Sequence, residues 1–252
     1  MGDVSGTGTF RRRVGIATRR REDGCLEARC AVEDDYHHFR VLLEARGGRV
    51  VAASNQALRS PNSLCEAAGG RLEELVGMSL DPASAAVFKQ TDQFQQCTHQ
   101  FDLAGLGVAA LALERPRRIY DAVIPDRQDG HTTATLYADG EPVLTWQVNG
   151  MSIEGPEPYA GLSLGAGFTK FTSTLDRDEA EAALVLRRAL FVSQGRGTDF
   201  ASLGDRGPVG GCWAWQPERK DQLRRLPENR RDLSDCADMI LGEDAEWLDF
   251  QA

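Results

Sequence analysis

The sequence lacks any apolar run long enough to cross a bilayer. The longest one covers residues 103–113, whereas a membrane-spanning helix needs roughly 20 apolar residues. Residues 1–8 are rich in glycine, serine and threonine and lack the apolar core that a secretory signal requires. From these two absences we expect a cytoplasmic protein with no membrane partner.

Positive charge is also in short supply. Lys and Arg number 29 against 38 Asp and Glu, so the net charge is −9. A nucleic-acid-binding surface needs a basic footprint, because most of its contacts are made with phosphates. The two arginine triplets, at residues 11–13 and 19–21, are typical of solvated strand faces and a turn. We therefore expect no nucleic-acid partner.

Signatures of cofactors and metals are missing as well. The sequence has no P-loop, no H-E-x-x-H and no pair of cysteines separated by two residues. Residues 161–165 match the G-x-S-x-G nucleophile elbow, but no histidine follows Ser163 and no buried strand precedes it. We expect this stretch to be a loop, and we expect neither a bound cofactor nor a metal.

Disulfides are not expected either. Six cysteines in 252 residues are too few for a scaffold that depends on crosslinks. A chain of this length buries roughly 70–75% of its unfolded surface and so folds without them. We predict reduced thiols.

Strand and helix patterns divide the chain into two strand-rich halves. Alternating apolar residues predict strands at residues 10–16, 26–32, 38–46, 50–58, 118–124, 132–138 and 142–148. The Ala- and Leu-rich residues 98–113 predict a buried central helix with Thr98 as its cap, and residues 178–191 predict a second helix with one apolar face. The fold class that we predict is α+β with mostly antiparallel strands.

We expect a single intertwined domain over residues 1–252. Its parts are a strand-rich segment 9–60, a helical segment 62–113, a strand-rich segment 117–172, and a helix and loop-rich tail 177–252. Within them, residues 62–75 and 82–91 have helical patterns, the first weakened by Gly69-Gly70. Residues 150–170 and 195–211 are predicted loops, and the second is long enough for a lid or binding loop.

The first candidate site is Cys97-Thr98-His99, which opens the central helix. The first helical turn carries unpaired N–H groups and a partial positive charge. We expect this environment to lower the thiol pKa and to favour a neutral imidazole that can accept a proton. Asp102 lies three residues after His99, so it shares that helix face and can orient the ring or face solvent. A helix cap with a buried cysteine and a hydrogen-bonded histidine is the plain structural alternative.

Further candidates lie around residue 37 and on either side of the central helix. His37 and His38 follow Tyr36, and adjacent strand residues point to opposite faces, so only one histidine can face a given cavity. A polar turn with one core-facing histidine explains the same residues without a function. Lys89 precedes the central helix and Tyr120 lies in the strand that follows it.

Three elements in order resemble an uncharacterised bacterial family, a domain of unknown function. The family's His-Asp-Met element within a strand is similar to residues 37–41, its Pro-Tyr-x-x-Cys element to residues 61–65, and its Gly-Cys-Thr-His-Leu element to residues 96–100. The closing segment resembles residues 212–219, so the resemblance covers most of the chain.

Three positions depart from the family pattern. His38 stands where the family has Asp, Asn62 where it has Tyr, and Gln96 where it has Gly. The first departure removes an acidic residue next to His37, so a role that depends on that carboxylate does not carry over directly.

The resemblance implies a cofactor-independent lyase of the phenylcoumaran γ-formaldehyde lyase type. Such an enzyme acts on a small lignin-derived aromatic dimer, releases formaldehyde by acid/base cleavage of a carbon–carbon bond, and opens an aryl ether to give a stilbene. The residues that this hypothesis implies are His99 as base or acid, His37, Tyr36 or Tyr120 as its partner, Cys97 and Asp102 as positioning groups, and Lys89 as a stabiliser of phenolate.

Other functions stay open at this point. Cys97 can act as a nucleophile in acyl transfer, with His99 or His37 as base, or the chain can bind an aromatic or acyl ligand without turnover. A metal site formed by His37, Cys65, Cys97 and His99 is a further alternative. The oligomeric state is open, with a homodimer among the outcomes.

Overall fold

The computed structural model describes residues 8–199, 202 and 210–251. One eight-stranded sheet runs through them in the order β4-β3-β2-β1-β5-β6-β7-β8. Its strands are β1 (Thr9–Arg20), β2 (Leu26–Asp34), β3 (His38–Arg46), β4 (Arg49–Arg59), β5 (Arg117–Pro125), β6 (His131–Ala138), β7 (Glu141–Asn149) and β8 (Ser152–Gly155). The pairs β2–β3, β3–β4, β5–β6, β6–β7 and β7–β8 are antiparallel. The predicted α+β class is confirmed.

The helices lie between and after the two groups of strands. The α-helices of the described residues are α1 (Cys65–Gly69), α2 (Val87–Gln90), α3 (Thr98–Ala112), α4 (Phe168–Thr172), α5 (Arg177–Ser193) and α6 (Ala245–Leu248). Short 3-10 turns cover Gly70–Leu75, Ser84–Ala86, Gln93–Gln95, Gln194–Gly197, Trp213–Trp215, Pro217–Arg219, Pro227–Asn229, Ala237–Met239 and Gly242–Asp244. Within the described part of the chain, none of the helices has the length and apolar character that crossing a bilayer requires.

The chain divides into two compact units, each assembled from three segments. Unit 1 contains residues 1–13, 119–198 and 232–240, and unit 2 contains residues 14–118, 199–231 and 241–252. Both follow the same order of elements, in which four strands and some short helices precede one long helix. The sequence shows no internal repeat that corresponds to this repeated order of elements.

In unit 2 the long helix α3 packs against β2 and β3. The approach is close because Gly107 has no side chain: a Cβ placed there would lie 2.8 Å from Cδ1 of Leu43 and 2.9 Å from Sγ of Cys30. Most of α3 is buried. The apolar composition of residues 98–113 thus produces a buried helix, whose first turn lies at the edge of the core.

In unit 1 the long helix α5 packs against β6 and β7. Trp146 is fully buried there, with its ring centroid 4.9 Å from that of Tyr159 and 5.7 Å from that of Phe168. The hydroxyl of Tyr120 donates a hydrogen bond of 2.7 Å to Glu181 on α5, and both residues are buried.

Most predicted elements are found, with shifts at their ends. The weak pattern at residues 62–75 becomes two short helices that meet at Gly69 and Gly70, because glycine weakens a helix interior. The predicted loop at residues 150–170 contains a further short strand, β8, whose four residues are too few to show a clear alternation. Ser163 lies in a turn that pairs with Ser152, as expected for a loop. Of the predicted loop at residues 195–211, residues 200–201 and 203–209 lie outside the described residues.

Candidate functional site

A tight turn between β2 and β3 holds His37. Asp34 ends β2, and its Oδ1 accepts hydrogen bonds from the backbone N–H groups of Tyr36, at 2.8 Å, and His37, at 2.9 Å. The backbone N–H of Asp34 donates in return to the His37 carbonyl at 2.9 Å. Aspartate favours such turns because its short side chain reaches the backbone two and three residues ahead. These hydrogen bonds hold the backbone of His37 in place, and so they fix the position from which its ring projects.

The same carboxylate also binds the His37 ring. Nδ1 of His37 lies 2.9 Å from Oδ1 and 3.2 Å from Oδ2 of Asp34, and both residues are buried. Because Asp34 already accepts two backbone N–H groups, it acts as an acceptor toward the ring and Nδ1 carries the hydrogen. The second ring nitrogen, Nε2, is then the one that can accept a proton.

His99 stacks on His37. The two ring centroids are 3.9 Å apart and the ring planes are inclined by 29°. His99 lies in the first turn of α3, is half-buried, and has its Nδ1 3.4 Å from the Thr98 hydroxyl. The turn between β2 and β3 and the beginning of α3 therefore bring together two imidazoles that are 62 residues apart in sequence.

Other aromatic rings surround this pair. The Phe39 centroid lies 5.3 Å from that of His37 and 6.3 Å from that of His99, and the Tyr36 ring meets His37 edge-on at 6.2 Å. Phe39 and Tyr36 are both buried. We call Asp34, Tyr36, His37, Phe39 and His99 the imidazole cluster.

His38 has a different partner from His37. Its Nε2 lies 2.7 Å from Oδ2 of Asp244, whose Oδ1 accepts a hydrogen bond of 2.6 Å from Arg40. Burial alone would raise the pKa of Asp244, but the hydrogen bonds from His38 and Arg40 outweigh it and lower that pKa below its usual value. Both histidines are buried, and they contact different groups, as expected for adjacent residues at a strand end.

Arg59 also stabilises the turn between β2 and β3, through hydrogen bonds from its guanidinium. Its guanidinium donates hydrogen bonds to the carbonyls of Asp34, at 2.7 Å, and Asp35, at 2.9 Å, and to the carboxylate of Glu33 at 3.1 Å. Arg59 is the last residue of β4 and is buried. The sequence reasoning missed Asp34 and Arg59 as site residues. The acidic run at residues 33–35 just before the histidines was the signal that could have indicated them.

The expectation that the helix end lowers the pKa of the Cys97 thiol is wrong. Cys97 is the N-cap of α3 in place of the expected Thr98, and it is buried. Burial raises the pKa of Cys97 to about 11, although hydrogen bonds from Gln100 and from the His99 backbone oppose the shift. Burial likewise raises the pKa of Cys65 well above its usual range. Desolvation therefore outweighs the favourable field of the helix end.

The remaining predicted site residues lie outside the cluster. Tyr120 belongs to unit 1, where its hydroxyl donates to Glu181. Lys89 is exposed near the end of α2. Asp102 is half-buried on α3, one turn after His99. The structure thus brings His37, Tyr36 and His99 together, with Cys97 two residues before His99 at the head of the helix.

Two further features bear on ligands. Among the residues that the structure describes, no group of three or more His, Cys, Asp or Glu side chains is arranged to hold a metal ion. A cleft of about 190 Å³ opens elsewhere in unit 2, lined by Thr18, Arg19, Arg20, Leu26, Leu111, Glu114 and Pro116. All six cysteines lie within the described residues and none is disulfide-bonded, which confirms the expectation of thiols.

Neither a comparison with family models nor one with curated proteins found a relative of this chain. No family model matches the chain, and no curated protein matches its sequence.

Proposed function

We propose that this chain is an enzyme that transfers protons through the His37–His99 pair. The observation that carries the proposal is the stack itself: two imidazoles at 3.9 Å, one of them held by a buried carboxylate at 2.9 Å. Histidine is the side chain best suited to exchange protons near neutral pH.

The first step of the argument concerns the neutral ring. Asp34 keeps the hydrogen of His37 on Nδ1, which leaves Nε2 with its lone pair. A carboxylate that orients an imidazole in this way also stabilises the cation that forms when the ring takes up a proton. His37 therefore has the partner that a general base requires.

The second step concerns the pair. If both rings were protonated, two positive charges would lie 3.9 Å apart, and their repulsion is about 4 kcal/mol at an effective dielectric constant of 20. The pair therefore favours holding one proton rather than two. One ring is then a proton acceptor and the other a proton donor at the same pH, which is the combination that acid/base cleavage needs.

For the reaction we propose the one implied by the family resemblance, a lyase that acts on a small lignin-derived aromatic dimer. The base removes the proton of a primary alcohol, the bond between the alcohol carbon and its neighbour breaks, and formaldehyde leaves. The released electron pair forms the stilbene double bond and breaks the aryl ether, and the acid protonates the resulting phenolate. All atoms of the substrate appear in the two products, so the step requires no oxidant.

Two features of the cluster support an aromatic substrate. The stacked imidazoles pack against the Phe39 and Tyr36 rings, which are both buried, so the ring on which an aromatic ligand can stack is that of His99. His99 is half-buried, with its Nε2 turned away from solvent, so only the remaining part of its ring surface is open to a substrate. His99 is therefore the group that we assign to direct contact with substrate, with His37 as its partner.

Formaldehyde release from a phenylcoumaran-type dimer tests the proposal. We expect His99→Asn and His37→Asn each to lower kcat by about 10²–10⁴-fold, the usual loss when a general acid or base is removed. His131→Asn is the matched control, because His131 is exposed and lies in unit 1, and it should retain wild-type turnover. Full turnover by His99→Asn, or binding of the dimer by the wild-type protein without any product, would contradict the proposal.

A further inference from the structure

The residues that precede α3 run antiparallel to a segment near residue 213. The backbone N–H of Trp213 donates to the carbonyl of Gln96 at 3.1 Å. Further along, the side chain of Gln216 donates to the carbonyl of Phe94 at 2.8 Å. Residue numbers fall on one segment as they rise on the other, so the two segments are antiparallel.

This register places two cysteines opposite each other. Cys97 follows the residue that accepts the backbone hydrogen bond, and Cys212 precedes the residue that donates it. Both have extended backbones, with φ −72° and ψ 112° at Cys97 and φ −159° and ψ 176° at Cys212. The backbone hydrogen bond between Trp213 and Gln96 therefore lies directly beside both cysteines and brings their backbones close together. A disulfide needs a Cα separation of roughly 4.4–6.8 Å.

The two thiols differ in their surroundings. Cys97 is buried and Cys212 is half-exposed. Burial is the main reason that the pKa of Cys97 is raised to about 11, and the nearby Cys212 sulfur contributes in the same direction. The two sulfur atoms are therefore close enough to influence each other. An oxidant in solution can reach Cys212 first, while Cys97 stays protonated behind it.

We propose that Cys97 and Cys212 form a reversible disulfide when the protein meets a hydroperoxide. The thiolate of Cys212 attacks the peroxide, the O–O bond breaks, and water or an alcohol leaves with Cys212 as a sulfenic acid. The Cys97 sulfur then attacks the Cys212 sulfur, the S–O bond breaks, and water leaves with the thiol proton of Cys97. Two thiols are oxidised and one peroxide is reduced. A dithiol reverses the reaction by exchange.

The bond would tie two separate parts of unit 2 together. Residues 210–231 reach the rest of the unit through contacts such as that of Trp213 with Gln96, and Cys97 is the N-cap of α3. A disulfide between these parts fixes the segment at residues 212–216 to the helix turn that carries His99. Oxidation would thus alter the surroundings of that ring, although the disulfide itself does not depend on any catalytic role of His99.

Thiol counting and peptide mapping test the proposal without reference to activity. We expect the full chain, treated with a small excess of hydrogen peroxide and then unfolded in the presence of an alkylating reagent, to lose two of its six thiols. A dithiol should restore both. Mass spectrometry of the oxidised protein should identify a peptide that links Cys97 to Cys212.

Variants separate this disulfide from other oxidation. Cys97→Ser and Cys212→Ser should each abolish the crosslink, whereas Cys236→Ser, which changes the other half-exposed cysteine, should leave it intact. The Cys97 and Cys212 sulfurs both contribute to raising the pKa of Cys65, so Cys65 lies near them, and Cys65→Ser serves as a second control that should also retain the crosslink. A crosslink that contains Cys65, or six thiols remaining in the treated wild-type protein, would overturn the proposal.

Discussion

Replacing Asp34 with asparagine changes one oxygen of the cluster to a nitrogen and leaves its shape intact. In the wild-type protein Oδ1 of Asp34 accepts the backbone N–H groups of Tyr36 and His37, and both carboxylate oxygens contact Nδ1 of His37. The amide oxygen of the new side chain can keep the backbone hydrogen bonds. That oxygen also stays 2.9 Å from Nδ1 of His37, so Nδ1 keeps its hydrogen. What the substitution removes is the negative charge that would stabilise the ring after it takes up a proton.

The size of the effect follows from this loss of charge. The turn retains its two backbone hydrogen bonds, so the free energy of unfolding should fall by only about 1–3 kcal/mol, the range for one altered buried hydrogen bond. The catalytic loss should be larger, because an imidazolium at His37 would lose its carboxylate partner. We expect kcat to fall by about 10²–10⁴-fold and KM to change little, because Asp34 is fully buried.

Three measurements check this prediction together. The ¹⁵N shifts of the His37 ring should report hydrogen on Nδ1 in both the wild-type protein and Asp34→Asn, so a loss of turnover cannot be assigned to a changed tautomer. The pH profile of kcat should lose its base-dependent limb, and circular dichroism should show an intact fold. Asp129→Asn is the control, since Asp129 is an exposed turn residue with φ 48° that asparagine tolerates well. An Asp34→Asn protein with wild-type kcat and an unchanged pH profile would refute the reasoning.

Two further predictions concern stability. Asp244 has a lowered pKa, with hydrogen bonds from His38 and Arg40 outweighing burial, so its stabilisation is present above the unfolded pKa near 3.9 and is lost as pH falls through the lower folded value. Asp244→Asn should therefore lower the free energy of unfolding at pH 7 by roughly 3 kcal/mol. In urea unfolding experiments, the free energy of unfolding of this variant should also decrease less steeply with falling pH than that of the wild-type protein. The same dependence on pH in both proteins below pH 4 would contradict this. Gly107→Ala should destabilise by about 1–2 kcal/mol, because the new Cβ lies 2.8 Å from Leu43 and overpacking exceeds the gain in helix propensity. A thermal melt that shows a higher Tm would disprove the overpacking.

The strands and long helices could be predicted because their patterns are local. Period-two alternation located β3 at residues 38–46, the bounds that the structure has, and the apolar run at residues 98–113 located α3. Both signals arise within a few residues. The short strand β8 is defined by its pairing with β7, so it did not follow from the same local patterns.

The site was only partly predictable because its carboxylate comes from an unexpected position. The only carboxylate next to a histidine that we considered from the sequence was one directly after His37, and this chain has His38 there. The structure supplies the carboxylate from Asp34, three residues earlier, through the geometry of the turn. Whether a turn folds back in this way depends on its backbone conformation, which sequence spacing alone does not give.

The thiol prediction failed for a different physical reason. A helix end favours a thiolate by a modest amount, within a kcal/mol or so at exposed sites. Removing a charged sulfur from water has a larger opposing effect, and burial is the main cause of the shift at Cys97. The packing of the surrounding chain decides whether the helix end or desolvation has the larger effect on the thiol pKa. The apolar composition of α3 indicated burial but did not determine how completely Cys97 is buried.

The buried charges around the turn explain how an imidazole can be both sealed in the core and useful for proton transfer. Arg59 binds the carbonyls of Asp34 and Asp35 and the carboxylate of Glu33, so the peptide groups that shape the turn are held by a buried cation. The His37 ring is then fixed by Asp34 before any ligand arrives. A base that is already oriented need not reorganise its surroundings when it takes up a proton, which is the main advantage of a preorganised site. Closing a hairpin does not require buried charges, and burying them is unfavourable unless each one is paired. These contacts are explained if the turn has to hold the His37 ring still against the His99 ring, the one that we propose to contact substrate.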